Sequence, residues 1–222
     1  MGTAEFLRDD EVTVEAAGAT VAGRLTVPGE PRGLVVFAHG SGSSRHSPRN
    51  RYVAQVLQNA GLATLLFDLL TDAEERNRSN VFDIGLLAAR LVDVTLWLRS
   101  ARDAAGLQVG YFGASTGAGA ALRAAADPRV DVFAVVSRGG RPDLAGESLA
   151  LVSAPTLLIV GSRDDVVLDL NRQAAATMSA ECEVAVVEGA THLFEEAGTL
   201  AQVAVLAREW FLDHLTPIPL QP

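Results

Sequence analysis

Apolar residues fall along this chain in two rhythms. Residues 34–38, 63–67, 109–112, 132–136, 156–160 and 184–187 are short, nearly continuous apolar runs. A strand with one wet face would alternate, so such runs predict strands buried on both faces, as in a parallel sheet covered by helices. The second rhythm is helical. Ile84, Leu87, Leu91, Val94 and Leu98 recur every three or four positions and mark the inner face of a long amphipathic helix. Leu200, Val203, Ala207 and Trp210 repeat the pattern in a final helix. Ser47 and Pro48 form an N-cap and first-turn pair for a helix running to about Asn59, which Gly61 ends. Residues 12–15 and 20–27 are rich in β-branched side chains around Ala17-Gly18-Ala19, which predicts an antiparallel hairpin, closed off by Pro28-Gly29-Glu30-Pro31. No internal repeat or linker interrupts this order. We therefore expect one domain over residues 1–222, with residues 216–222 a loose Pro-rich tail. Its class is α/β, a mainly parallel, doubly wound sheet with helices on both faces. Ligands in such sheets bind at the carboxyl ends of the strands.

Composition narrows the function. The chain has 222 residues, 49% hydrophobic and 20% charged, enough to bury about 70% of the surface of its unfolded form. Its net charge of −9 argues against nucleic-acid binding, which needs a basic footprint. Cys182 is the one cysteine and no Cys/His cluster has zinc-like spacing, so neither disulfide, metal nor cofactor is expected. Arg8, Asp9 and Asp10 stand where a signal peptide would need its apolar segment, and no apolar run approaches the roughly 18 residues of a membrane span. Gly2 follows Met1, but Phe6 replaces the Ser or Thr of a myristoylation signal. The expectation is a soluble cytoplasmic protein that does not act at membranes.

Candidate chemistry starts at Gly113-Ala114-Ser115-Thr116-Gly117. This is G-x-S-x-G directly after a predicted strand and before an alanine-rich helix, the setting in which a sharp turn exposes a serine nucleophile. A serine hydroxyl needs a neutral imidazole to take its proton and a carboxylate to orient that imidazole. Of four histidines, His214 reads as a solvated helix residue, while His39 and His46 lie in or near a loop with another task. His192 remains, in a loop at the carboxyl end of the sheet. Gly161-Ser162-Arg163-Asp164-Asp165 follows another strand. Asp164 is the preferred acid, with Asp165 the alternative unless it caps the next helix. The order Ser115, Asp164, His192 is that of the α/β-hydrolase arrangement. For the developing oxyanion, the expected donors are the N–H of Thr116 and that of Ser41, in His39-Gly40-Ser41-Gly42.

From residue 34 to 215 the chain resembles the dienelactone hydrolase-like group of α/β-hydrolases. The resemblance rests on His39-Gly40-Ser41-Gly42, the Gly113 to Gly117 pentapeptide, Gly161 to Asp164 and Gly189-Ala190-Thr191-His192. It is also similar to hydrolase domains joined to phosphoribosyltransferases, through Gly40-Ser41-Gly42-Ser43-Ser44-Arg45 and Ser137-Arg138-Gly139-Gly140-Arg141-Pro142. The family implies an eight-stranded sheet and the same triad. Dienelactone hydrolases proper carry a cysteine nucleophile, and Ser115 here shifts the expectation to ordinary ester hydrolysis. Lactones, thioesters, activated phosphotriesters or acyl transfer are alternatives at the same site, and a non-catalytic ligand-binding module is the alternative from another class.

Residues 68–80, with Leu70, and residues 138–153 leave strands at the site end and are expected to wall the pocket. Neither is long enough for a large lid, which suits small esters. Arg45, His46, Arg49 and Arg51 cluster after the oxyanion loop, and Arg138 and Arg141 follow another strand; together they could receive a carboxylate or phosphate on the substrate. Pairing with Asp68, Asp72, Asp143 or Glu147 is the favoured reading of these arginines. Cys182 is expected to be a small buried residue.

Overall fold

The computed structural model describes residues 5–216, so the expected tail beyond Thr216 lies outside the described residues. β1 (Phe6–Ala16) and β2 (Ala19–Pro28) form the expected hairpin. Its two-residue turn places Ala17 at φ 44° and Gly18 at φ 77°, the double positive φ of a twisted hairpin turn. Ala17 tolerates it because its N–H donates to Asp93 Oδ2 at 2.8 Å. There follow β3 (Gly33–Ala38), α1 (Pro48–Asn59), β4 (Leu62–Phe67), α2 (Asp72–Glu75), α3 (Arg78–Val81) and α4 (Ile84–Leu98). Next come β5 (Val109–Ala114), α5 (Thr116–Ala125), β6 (Val132–Arg138), a 3₁₀ stretch over Pro142–Leu151, β7 (Thr156–Gly161), α6 (Asp165–Thr177), β8 (Cys182–Val187) and α7 (Thr199–His214).

All eight strands join one sheet in the order β1-β2-β4-β3-β5-β6-β7-β8. β2 runs antiparallel to both neighbours, and every later pairing is parallel. Alternate residues of the central strands enter two cores. Leu34, Val36 and Tyr111 pack with α4 and α5 on one face, while Val35, Phe37 and Phe112 pack with α1 and α7 on the other. β3, β4, β5 and β7 are buried at every position, as continuous apolar runs require. β8 departs from that expectation: it is the last strand of the sheet, and Val186 is exposed. Cys182, at its start, is half-buried rather than buried, and desolvation pushes its thiol up to about 11. Among the described residues no helix is long and apolar enough to cross a membrane.

Residues 68–81 hold two short helices that hydrophobic periodicity does not announce. Thr71 and Glu74 close a capping box at the start of α2. Arg90, from the inner face of α4 and fully buried, then fixes the segment. Its Nη1 and Nη2 donate to Glu74 at 2.7 and 3.0 Å. The remaining donors reach the carbonyls of Leu69, Ala16 and Ala17, so all five N–H groups are used. The guanidinium holds the Glu74 carboxyl at about 2, well below its usual 4.5. Removing one member of a buried pair strands the other, so Glu74→Gln should cost about 3 kcal/mol at pH 7 in urea unfolding. A lowered folded-state pKa contributes stability above the unfolded value and loses it as the carboxylate protonates. The stability gap between wild type and Glu74→Gln should therefore close as pH falls from 4.5 to about 2.

Candidate active site

β5 ends at Ala114 and α5 begins at Thr116, leaving Ser115 alone in the turn with φ 51° and ψ −122°. A non-glycine residue there is strained and persists only where its surroundings over-determine it. The exit of β6 does so. Ser115 N–H donates to Arg138 O at 3.3 Å, and Ser115 O accepts from Arg141 N at 3.1 Å. The flanking glycines are required by close approach: a Cβ on Gly117 would overlap the carbonyl oxygens of Ala38 and His39, and one on Gly113 would overlap Ala118. Gly117→Ala should thus force β3 and α5 apart, lowering the thermal midpoint and activity together.

Asp164 and His192 come from the exits of neighbouring strands, β7 and β8. His192 Nδ1 donates to Asp164 Oδ2 at 2.6 Å. Asp164 stands at the N-cap position of α6 yet makes no capping hydrogen bond, while Asp165 lies inside the helix. The pairing thus falls to Asp164, the preferred acid. Its carboxylate is largely shielded, with 15% side-chain exposure against 39% for His192, and the bond to Nδ1 leaves Nε2 as the nitrogen available to a nucleophile. Ser115 and His192 meet at one dipeptide. Arg138 O accepts from Ser115, and a Cβ on Gly139 would lie 3.6 Å from His192 Cε1. Among the described residues Ser115 and His192 make no direct hydrogen bond, a contact that in ligand-free sites often forms only with substrate.

The loop carrying His192 is held by groups the sequence did not point to. Thr191 donates through N–H and Oγ1 to Glu196 at 3.1 and 2.7 Å, bonds that hold the Glu196 carboxyl below its ordinary range. Arg163 N–H donates to Ala190 O at 2.9 Å, tying the Asp164 turn to the His192 loop. Phe194, at φ 55°, is buried beneath it.

The loop after β3 reaches Ser115 as expected, since a Cβ on Gly40 would lie 3.0 Å from Ser115 Cβ. Thr116 N–H opens α5 and has no intrahelical acceptor. Ser41 N–H, the second expected donor, is engaged: it donates to Thr116 Oγ1 at 2.9 Å. The Thr116 hydroxyl thus satisfies this partly buried amide. A substrate oxygen reaches Ser41 N–H only after that hydroxyl turns away. His39 has a separate task. Its Nε2 accepts from Leu69 N–H and its Nδ1 donates to Gly40 O, both at 3.0 Å. Burial lowers its pKa, which suits this neutral tautomer, and the ring ties the loops after β3 and β4 together.

Leu70 lines a narrow cavity together with Leu69, Val81, Leu87, Glu75, Thr116 and His39 to Gly42; its volume is about 10 Å³, room for about one water. Residues 68–80 wall it as expected, but none of its lining comes from residues 138–153. That segment instead packs on α5 and α6: Leu144 lies against Gly119, and Asn171 donates to Gly140 O at 3.0 Å. Of the arginines expected to receive a substrate anion, Arg45 and Arg141 are occupied. Arg45 pairs with Asp68 and, at 3.3 Å, with Glu11; Arg141 pairs with Asp143 at 2.7 Å. Their guanidiniums are compensated and offer an incoming anion little. Arg138 has no such partner among the described residues; its one hydrogen bond is to Asn50 Oδ1 at 3.4 Å. Among the described residues no three His, Cys, Asp or Glu side chains are grouped so as to hold a metal ion.

Comparison with known proteins agrees with this architecture. A protein of Mycobacterium tuberculosis strain H37Rv, provisionally named a phosphoribosyl transferase, is 72% identical over 209 residues, 94% of this chain. The chain spans about half the length of that relative, 47%. Among solved structures, a dienelactone hydrolase from Anabaena variabilis superimposes with a TM-score of 0.91 at 54% identity, over 94% of this chain and 99% of that one. Est1E from Butyrivibrio proteoclasticus, solved with ferulic acid bound, shares the fold at a TM-score of 0.79 and 16% identity, over 91% and 98% of the two chains. The profile of the alpha/beta hydrolase domain family matches residues 31–202. With an eight-stranded sheet, a serine at the elbow after β5 and an Asp–His pair at the exits of β7 and β8, the chain belongs to the alpha/beta hydrolase family and is related to the dienelactone hydrolases.

Proposed function

We propose that this chain hydrolyses carboxylic esters of small acyl groups through an acyl-enzyme on Ser115. The observation that carries the reading is the 2.6 Å bond between Asp164 and His192, made beside the strained serine turn. In the proposed cycle Ser115 Oγ attacks the ester carbonyl while His192 Nε2 takes its proton. Asp164 holds the ring and stabilises the imidazolium. Thr116 N–H receives the developing oxyanion, joined by Ser41 N–H once Thr116 Oγ1 releases it. His192 then gives its proton to the departing alcohol, and a water activated by the same ring releases the acid. Kinship at 54% identity with a dienelactone hydrolase supports an acyl-oxygen bond as the target. A serine in place of that group's cysteine favours simple esters.

Acyl chain length tests the reading. Each buried CH₂ is worth about 0.8 kcal/mol, but only while there is apolar wall to bury it. The narrow cavity walled by Leu69, Leu70, Val81 and Leu87 is soon filled. With 4-nitrophenyl esters, kcat/KM should peak between acetyl and hexanoyl and fall for palmitoyl. A value still rising beyond dodecanoyl would replace this reading with a lipase-like one.

A further inference from the structure

Among the described residues, Arg138 is the one arginine at the site edge of the sheet that is both buried and without a carboxylate. The chain has 27 Asp and Glu residues, and Arg45, Arg90 and Arg141 each pair with at least one. Arg138 is 7% exposed, its Nε is enclosed without a partner, and its Nη2 meets only the neutral Asn50 amide. Beside it stands a second cation, Arg49, whose Nε is also enclosed and unpartnered. Burial, and then Arg49, lower the Arg138 pKa to about 10. The N-terminus of α1, capped at Ser47, adds its own positive end. Leaving a charge so placed uncompensated is expensive. Arg49 also forms part of the wall of an open groove of about 590 Å³, together with Tyr52, Phe194 and Glu195. Among the described residues only Glu195 pairs with either cation: it meets Arg49 Nη1 at 3.4 Å with its own side chain 66% exposed, a weak and displaceable pair.

We propose that Arg138 and Arg49 form an anion subsite. It receives a carboxylate or phosphate carried by the substrate away from its scissile ester, and that anion displaces Glu195 from Arg49. Ser115 N–H donates to the Arg138 carbonyl, so the residue's backbone borders the nucleophile turn, and an anion held by the two guanidiniums would select anionic over neutral esters. The proposal rests on the esterase reading for its use, but not for its test.

Succinate and inorganic phosphate have no ester to cleave, so their binding to the wild-type protein by calorimetry is independent of turnover. At least one should bind, with affinity falling tenfold or more in Arg138→Gln and rising in Glu195→Gln, an increase that a purely structural Arg138 would not produce. Binding of succinate alone identifies the group as a carboxylate, and binding of phosphate alone identifies it as a phosphate. In turnover, the preference for mono-(4-nitrophenyl) succinate over 4-nitrophenyl butyrate should drop at least tenfold in Arg138→Gln. If that variant does not fold, Arg49→Gln, at a partly exposed position, should show the same two losses. No binding of either anion, or binding that Arg138→Gln and Arg49→Gln leave unchanged, overturns the subsite. Anion binding without hydrolysis of either ester keeps the subsite and removes the esterase reading.

Discussion

Ser115→Ala, His192→Ala and the double variant should each lower kcat/KM on 4-nitrophenyl acetate by a similar factor, on the order of 10⁴ or more. The reason is that the two side chains act in one step. Without the imidazole the hydroxyl has no base, and without the hydroxyl the imidazole has no proton to take, so the second deletion removes nothing further. The residual rate would come from Thr116 N–H and from binding. All three variants should keep the wild-type thermal midpoint within a few degrees, because Ser115 Oγ supports no other group among the described residues and the His192 side chain is partly exposed. Losses that multiply in the double variant would mean the two residues act separately.

Asp164→Asn should give the second largest loss, about 10² to 10⁴ in kcat and smaller than that of Ser115→Ala. The amide can still meet His192 Nδ1, but it can do so by donating, which fixes the ring in the tautomer unable to accept the serine proton at Nε2. It also removes the negative charge that stabilises the imidazolium. Asp165→Asn, one residue on and inside α6, should change kcat less than about threefold. A larger loss at Asp165 than at Asp164 would move the acid role to the helix.

The parts of the fold that were legible in the sequence are those set by local pattern. The central strands read as continuous apolar runs because helices cover both faces, and α1 begins where Ser47 and Pro48 say it should. The exposure of β8 is not legible, because its apolar run looks the same whether a ninth strand or water lies beyond it. Ser115 was legible from glycines that only a tight turn requires, and His192 and Asp164 from their places after strands. The pairings were not legible. Nothing local to Arg90 says that Glu74 and three carbonyls will surround it, and nothing local to Ser41 says that Thr116 will hold its amide. The same holds for Arg138: four nearby acids made pairing the reasonable expectation, yet sheet register sends its side chain toward Asn50, while Arg45 and Arg141 take Asp68 and Asp143.

The claim that Ser115 is an activated nucleophile is tested most directly by a fluorophosphonate probe followed by intact and peptide mass spectrometry. The account predicts one adduct per folded chain, located on Ser115, formed slowly or not at all in His192→Ala and absent from Ser115→Ala and from urea-unfolded protein. A folded wild-type chain that takes up no probe, or takes it up at a residue other than Ser115, would contradict it.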